Sequence, residues 1–116
     1  MMTDMSIIDI TGENWSEFLQ SDFALLILGK TDCQACKRWA EDLSDALAGG
    51  RFNGLKVGKM MLNTGGLGPF KRSQDWLADE VKDLPYNTLW KNGERVKSWP
   101  GGGIERLETR FERIRT

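Results

Sequence analysis

Phe23-Ala24-Leu25-Leu26-Ile27-Leu28-Gly29-Lys30-Thr31-Asp32-Cys33-Gln34-Ala35-Cys36 carries the decisive reading of this chain. The run 23–28 is apolar without alternation, the pattern of a central strand covered on both faces. A short turn leads to an amphipathic segment with Trp39, Ala40, Leu43 and Leu47 on one side, stopping at Gly49-Gly50. A buried strand, a turn and a helix opening on Cys-x-x-Cys form the arrangement of a dithiol redox site. A thiolate at a helix N-terminus is stabilised by free backbone N–H groups and the helix dipole. Cys33, at the helix start, is expected to face solvent. Cys36, one turn later on the same face, is expected to be more buried. That geometry makes Cys33 the nucleophile and Cys36 the resolving thiol. The plainer reading is two structural cysteines that happen to be neighbours. The chain has two cysteines and no histidine, so a four-ligand zinc site within one chain is not expected, nor any other metal.

Working outward, residues 6–10 read as a short strand, and Thr11 as the N-cap of a helix over 13–20 carrying Trp15, Phe18 and Leu19. Residues 55–62 read as another strand and 64–69 as a loop. A helix is expected over 70–82, with Phe70, Trp76, Leu77 and Val81 inward. Residues 88–90 and 94–99 flank Asn92-Gly93, the strongest short hairpin signal. Gly101-Gly102-Gly103 then opens a helix with Ile104, Leu107, Phe111 and Ile114 at helical spacing. The order β-α-β-α-β-α-β-β-α implies parallel strands joined by right-handed crossovers plus one antiparallel hairpin.

The 116 residues suit one domain, 1–116. A formal net charge of −1 offers no case for nucleic acid or an anionic membrane surface. No apolar run approaches the roughly 20 residues of a membrane span. Met1-Met2-Thr3-Asp4-Met5 has no basic region followed by an apolar one, which points to a cytoplasmic protein rather than a secreted one. Two cysteines are too few for a disulfide scaffold.

Together these landmarks resemble the thioredoxin family over nearly the whole chain. Cys33-Gln34-Ala35-Cys36-Lys37 sits where that family has Cys-Gly-Pro-Cys-Lys. Leu84-Pro85, then Lys91-Asn92-Gly93-Glu94, resembles its cis-proline followed by its hairpin. Gly101, just past Trp99-Pro100, falls where the family has a groove-lining glycine. The resemblance implies a thioredoxin-like α/β fold, a central mixed β-sheet flanked by helices on both faces. It further implies a monomeric protein-disulfide oxidoreductase serving electron transport and cell redox homeostasis. Its cofactor would be the Cys33–Cys36 disulfide alone, and its electron donor thioredoxin reductase or glutathione. Substrate contacts are expected from Asp32, Gln34, Ala35, Leu84, Pro85, Trp99, Pro100 and Gly101. For Trp99 ordinary packing is the alternative.

The departures are specific. The family's buried acid is Ile27 here, its Trp-Cys is Asp32-Cys33, and an upstream tryptophan position is Gly29. The segment 63–84 is longer than usual. Asp32 places a negative charge beside the prospective thiolate and is a candidate for tuning it, against a solvated loop residue. Lys59 is a second tuning candidate if it lies beneath the site, against a lysine that snorkels outward. Gly101-Gly102-Gly103 suits a tight turn, or an anion such as a glutathione carboxylate, as in glutaredoxin-like proteins. Two other functions therefore stand beside the first. One is a glutathione-dependent, glutaredoxin-like reductase. The other is a partner-binding module of the same fold with secondary redox activity.

Overall fold

The computed structural model describes residues 7–115; Met1–Met5, read above for a targeting signal, and Ser6 lie outside them. The elements in chain order are β1 (Ile8–Asp9), α1 (Trp15–Leu19), β2 (Phe23–Gly29), α2 (Gln34–Ala48), β3 (Lys56–Met61), α3 (Gly68–Ser73), α4 (Leu77–Glu80), β4 (Tyr86–Lys91), β5 (Glu94–Pro100) and α5 (Ile104–Arg115). The strands form one sheet in the order β1-β3-β2-β4-β5. β1, β3 and β2 run parallel, while β2–β4 and β4–β5 are antiparallel.

Period-two alternation divides β2 between two cores. Leu25 and Ile27 face α2 and α5, packing with Trp39, Leu43, Leu47, Leu107 and Phe111. Ala24, Leu26 and Leu28 face the other way, onto Phe18, Leu19, Met60 and Phe70. A strand with both faces covered cannot alternate apolar with polar, which is why the sequence run is uniformly apolar. The hairpin forms at Asn92-Gly93, both residues left-handed at φ 53° and 85°, as a two-residue turn matched to strand twist requires.

The structure corrects several boundaries. Thr11 does not cap α1: its hydroxyl accepts from the Glu13 N–H and its carbonyl from Trp15, closing a turn ahead of the helix. α1 therefore begins at Trp15 rather than 13. Gly68 and Pro69 belong to a helix rather than to the loop, with Pro69 in its first turn, where a missing N–H costs nothing. The helix expected over 70–82 is two helices, α3 and α4. The break at 74–76 is built from side chains that compete for the backbone's partners. The Ser73 hydroxyl donates to the Phe70 carbonyl, and the Gln74 amide bridges Ser73 Oγ and Trp76 Nε1. Trp76, Leu77 and Val81 still pack partly buried on the core beside Phe70.

The break lets the second half of this segment clamp the hairpin. Arg95 of β5 donates to both Glu80 carboxylate oxygens, at 2.8 and 3.1 Å, and lies 4.0 Å over the Trp76 ring. The Tyr86 hydroxyl donates to the same carboxylate at 3.1 Å. The Arg95 hydrogen bond holds the Glu80 carboxyl below its ordinary range against a smaller opposing desolvation, with a further contribution from Tyr86. Burial first, and then the bond to Glu80, raises the Tyr86 phenol.

Asn87 and Thr88 are the only buried polar residues among those described. Asn87 uses its whole amide. Its Oδ1 accepts from Trp39 Nε1 at 2.7 Å, and its Nδ2 donates to the carbonyls of Trp99 at 3.1 Å and Gly101 at 2.6 Å. One side chain thus joins α2, β5 and the turn that follows it.

Asn87→Leu should cost about 2–4 kcal/mol, because it strands one buried N–H and two carbonyls at about 1–3 kcal/mol for an unsatisfied group. Urea unfolding measures this, and a loss under about 0.5 kcal/mol would show that Asn87 joins nothing of consequence. Glu80 gives a pH-dependent prediction. Its folded carboxyl is depressed, so its contribution is present above the ordinary carboxylate range and is lost as pH falls through the folded value. Because the pair is partly exposed, the effect is up to about 1 kcal/mol. Glu80→Gln should be less stable than wild type at neutral pH, and the gap should narrow as pH falls through the folded carboxyl's value. A gap of equal size at neutral and acid pH would rule out the ionic contribution.

Candidate redox site

β2 delivers the chain to the turn 30–33 at the C-terminal edge of the sheet, and two clamps hold that turn. The Gly29 carbonyl accepts from the Leu62 N–H at 2.8 Å. Thr31 and Asn63 bond reciprocally, Thr31 N–H to Asn63 Oδ1 at 3.2 Å and Asn63 Nδ2 to Thr31 Oγ1 at 2.8 Å. The longer segment after β3 is therefore tied to the turn that carries the cysteines.

Cys33 is the N-cap of α2, with extended backbone at φ −101°, ψ 110°. Its Sγ accepts a hydrogen bond from the Cys36 N–H at 3.1 Å. Cys33 and Cys36 form a disulfide, with Cα atoms 5.2 Å apart. Cys33 is half-buried, while Cys36 is only 6% exposed. The apolar face of α2 explains the difference: Cys36, Trp39, Leu43 and Leu47 recur at helical spacing and point into the core. Cys36 sits hard against Gly29. A side chain there would begin 3.0 Å from the Cys36 sulfur and 3.5 Å from the Met61 methyl carbon, so any residue other than glycine would press on the second sulfur.

Asp32, Gln34 and Ala35 surround the pair and are exposed. The Leu84–Pro85 peptide bond is cis, with Leu84 half-buried and Pro85 buried. Register places this bond just past the Leu28–Tyr86 pair, at the same edge of the sheet as the turn bearing Cys33. The Pro85 carbonyl accepts from the Gly101 N–H at 2.8 Å, and Tyr86 pairs with Pro100. Pro100 is exposed and Gly101 half-buried beside it.

Two expected site residues lie elsewhere. Trp99 does not rim a groove: it is 3% exposed within the α2–α5 core, because its register partner Asn87 faces Trp39. Lys59 does not lie partnerless beneath the dithiol. Its side chain is 38% exposed and its Nζ is 3.8 Å from Asp9 Oδ1 across the β1–β3 pair. The glycines of the last turn are filled by protein. Gly102 lies flat on the Trp39 ring, a side chain there beginning 3.1 Å from Cε3, and Arg106 donates to its carbonyl at 3.5 Å. Among the described residues no group of His, Cys, Asp or Glu is arranged to hold a metal, and no helix is long and apolar enough to cross a membrane.

Sequence reasoning missed Asn87 and the Thr31–Asn63 clamp. The one available signal for Asn87 was an amide in an otherwise apolar strand, which requires partners but does not name them.

No protein-family model matches the chain, and no curated protein sequence matches it. Its structure, by contrast, is similar to several thioredoxins. The short form of thioredoxin f from spinach chloroplast superposes with a TM-score of 0.76 at 12% identity, over 99% of this chain and 100% of that one. Thioredoxin O2 from Arabidopsis thaliana in its oxidised state gives 0.72 at 15% identity, over 98% of each. Oxidised thioredoxin from Plasmodium falciparum gives 0.69 at 14% identity, over 94% and 98%. With β-sheet order, both helical layers and the Cys-x-x-Cys disulfide all in place, the chain has the thioredoxin fold.

Proposed function

We propose that this protein is a thiol–disulfide oxidoreductase that reduces disulfides of other proteins through Cys33 and Cys36. The observation that carries the reading is Cys33 Sγ at the N-cap of α2, receiving the Cys36 N–H. The same donor is aimed at a Cys33 thiolate in the reduced protein, where an anion at a helix N-terminus gains from both hydrogen bond and dipole.

The exchange runs in two steps. The Cys33 thiolate attacks one sulfur of the substrate disulfide, forming a mixed disulfide and expelling the other substrate sulfur as a thiolate. Cys36 then loses its proton and attacks Cys33 Sγ, releasing the second substrate thiol and leaving the Cys33–Cys36 disulfide. Two electrons pass to the substrate, carried by the cysteine pair itself without a bound cofactor. A separate thiol donor, thioredoxin reductase or glutathione, must restore the dithiol, as in a reducing compartment such as the cytoplasm. The exposed residues Asp32, Gln34, Ala35 and Pro100, with the Leu84–Pro85 turn, supply the surface a substrate would meet. Backbone pairing at such a strand margin gives affinity with little sequence preference.

Cys33→Ser should abolish reduction of a protein disulfide such as that of insulin. Cys36→Ser should accumulate mixed disulfides, detected by mass spectrometry. Trapping by the Cys33→Ser variant instead would reverse the roles, and full activity in both would sink the reading.

Ile27 generates a second test. It is 3% exposed and pairs with Asn87 and Lys59, and no Asp or Glu is buried among the described residues. No buried carboxylate is at hand to take the Cys36 proton, so the resolving step should be slow near neutral pH and accelerate as pH rises. Ile27→Asp should flatten that profile while costing roughly 2–5 kcal/mol for a lost apolar contact and a buried carboxyl. Single-turnover rates across pH would check both; superimposable profiles would show that position 27 does not communicate with the dithiol.

A further inference from the structure

A second surface feature lies beside the proposed redox site. β5 is the edge strand of the sheet, and between it and α5 runs a groove of about 480 Å³. Lys97, Arg106, Arg110 and Arg113 line it, against the single carboxylate of Glu105. The chain's formal net charge is −1 while the groove lining carries a clear excess of positive charge, so the rest of the molecule is net negative. Arg106, Arg110 and Arg113 stand at i, i+4 and i+7, on one face of the helix. At 1.5 Å rise per residue their row is about 10 Å long.

Arg110 and Arg106 are already held. Arg110 stacks 4.6 Å over the Trp99 ring and donates to the Arg106 carbonyl at 3.3 Å. Arg106 donates to the Gly102 carbonyl at 3.5 Å. Anchored cations lose less side-chain entropy on binding than free ones.

We infer that this groove binds an acidic, extended protein segment laid along the edge of β5. The shape decides between anions: a row of cations about 10 Å long matches side chains repeating every 6–7 Å along one face of an extended chain, not one convergent phosphate. An edge strand also presents unpaired backbone N–H and C=O groups that an added strand can use. The groove adjoins the redox site. Arg106 Nη1 lies 3.4 Å from where a side chain on Gly101 would begin, and the Gly101 N–H is bonded to Pro85. A segment held there would bring its parent protein to the dithiol, but the binding itself does not require the redox reading.

The test uses the full oxidised chain and two fluorescein-labelled, cysteine-free peptides of about ten residues, one alternating Glu and Ser, the other Gln and Ser. Fluorescence anisotropy at low salt should show the Glu peptide binding roughly tenfold tighter, with the preference lost at high salt. The double variant Lys97→Gln/Arg106→Gln should abolish most of that preference. Arg38→Gln/Lys56→Gln, at two cations that do not line the groove, should keep it. Equal affinity for the two peptides, or an equal loss in the control variant, would overturn the inference. So would tripolyphosphate binding where the Glu peptide does not, which marks a small-anion site. A salt-sensitive dimer that buries the groove would overturn it as well, by making a second copy the occupant.

Discussion

The buried amide of Asn87 is the constraint around which the functional end of this molecule is arranged. An amide in a closed apolar layer must find partners for its donors and its acceptor. Asn87 finds them on two stretches of chain: the Trp39 indole of α2, and the Trp99 and Gly101 carbonyls at the end of β5 and just beyond it. Those stretches carry the cysteines, the edge strand and the residue bonded to Pro85. The helix that bears the disulfide is therefore fixed in angle relative to the turns beside it. An all-apolar contact, which is non-directional, would fix it less well.

On that frame the chemistry is placed by ordinary local rules. Cys33 caps α2 with its sulfur, while Cys36 belongs to the buried face of the same helix and seats on Gly29. One sulfur is thereby half-exposed and the other buried. What this chain omits is equally physical. With Ile27 in the strand behind α2, the core there is apolar and gains the stability of that contact, and among the described residues no carboxylate is buried beside it. The two charged candidates from the sequence, Asp32 and Lys59, are respectively an exposed turn residue and a half-exposed lysine facing Asp9.

The longer segment between β3 and β4 is more than an inserted loop. Its beginning, at Asn63, bonds the cysteine-bearing turn, and its end, at Glu80, meets Arg95 and Tyr86 next to Pro85. It thus buttresses both sides of the redox end, and its broken helix allows Trp76 and Glu80 to reach β5 together.

Much of this was legible in the residues alone, because it depends on local patterns. The unbroken apolar run 23–28 marks a strand covered on both faces, Asn92-Gly93 marks a two-residue turn, and Trp39, Leu43 and Leu47 mark one face of a helix. Cys33 and Cys36 are three residues apart, so their pairing at the helix start needs no long-range information. Other features exist only once distant segments meet. Whether Trp99 lines a rim or a core depends on its facing Asn87, and whether Lys59 is alone depends on a strand fifty residues away carrying Asp9. What the second half of the broken helix meets, Arg95 over Trp76 and against Glu80, likewise depends on a strand from elsewhere in the chain. Periodicity reports which side of an element is apolar, but not which polar groups from elsewhere will be brought to face it; tertiary structure decided those.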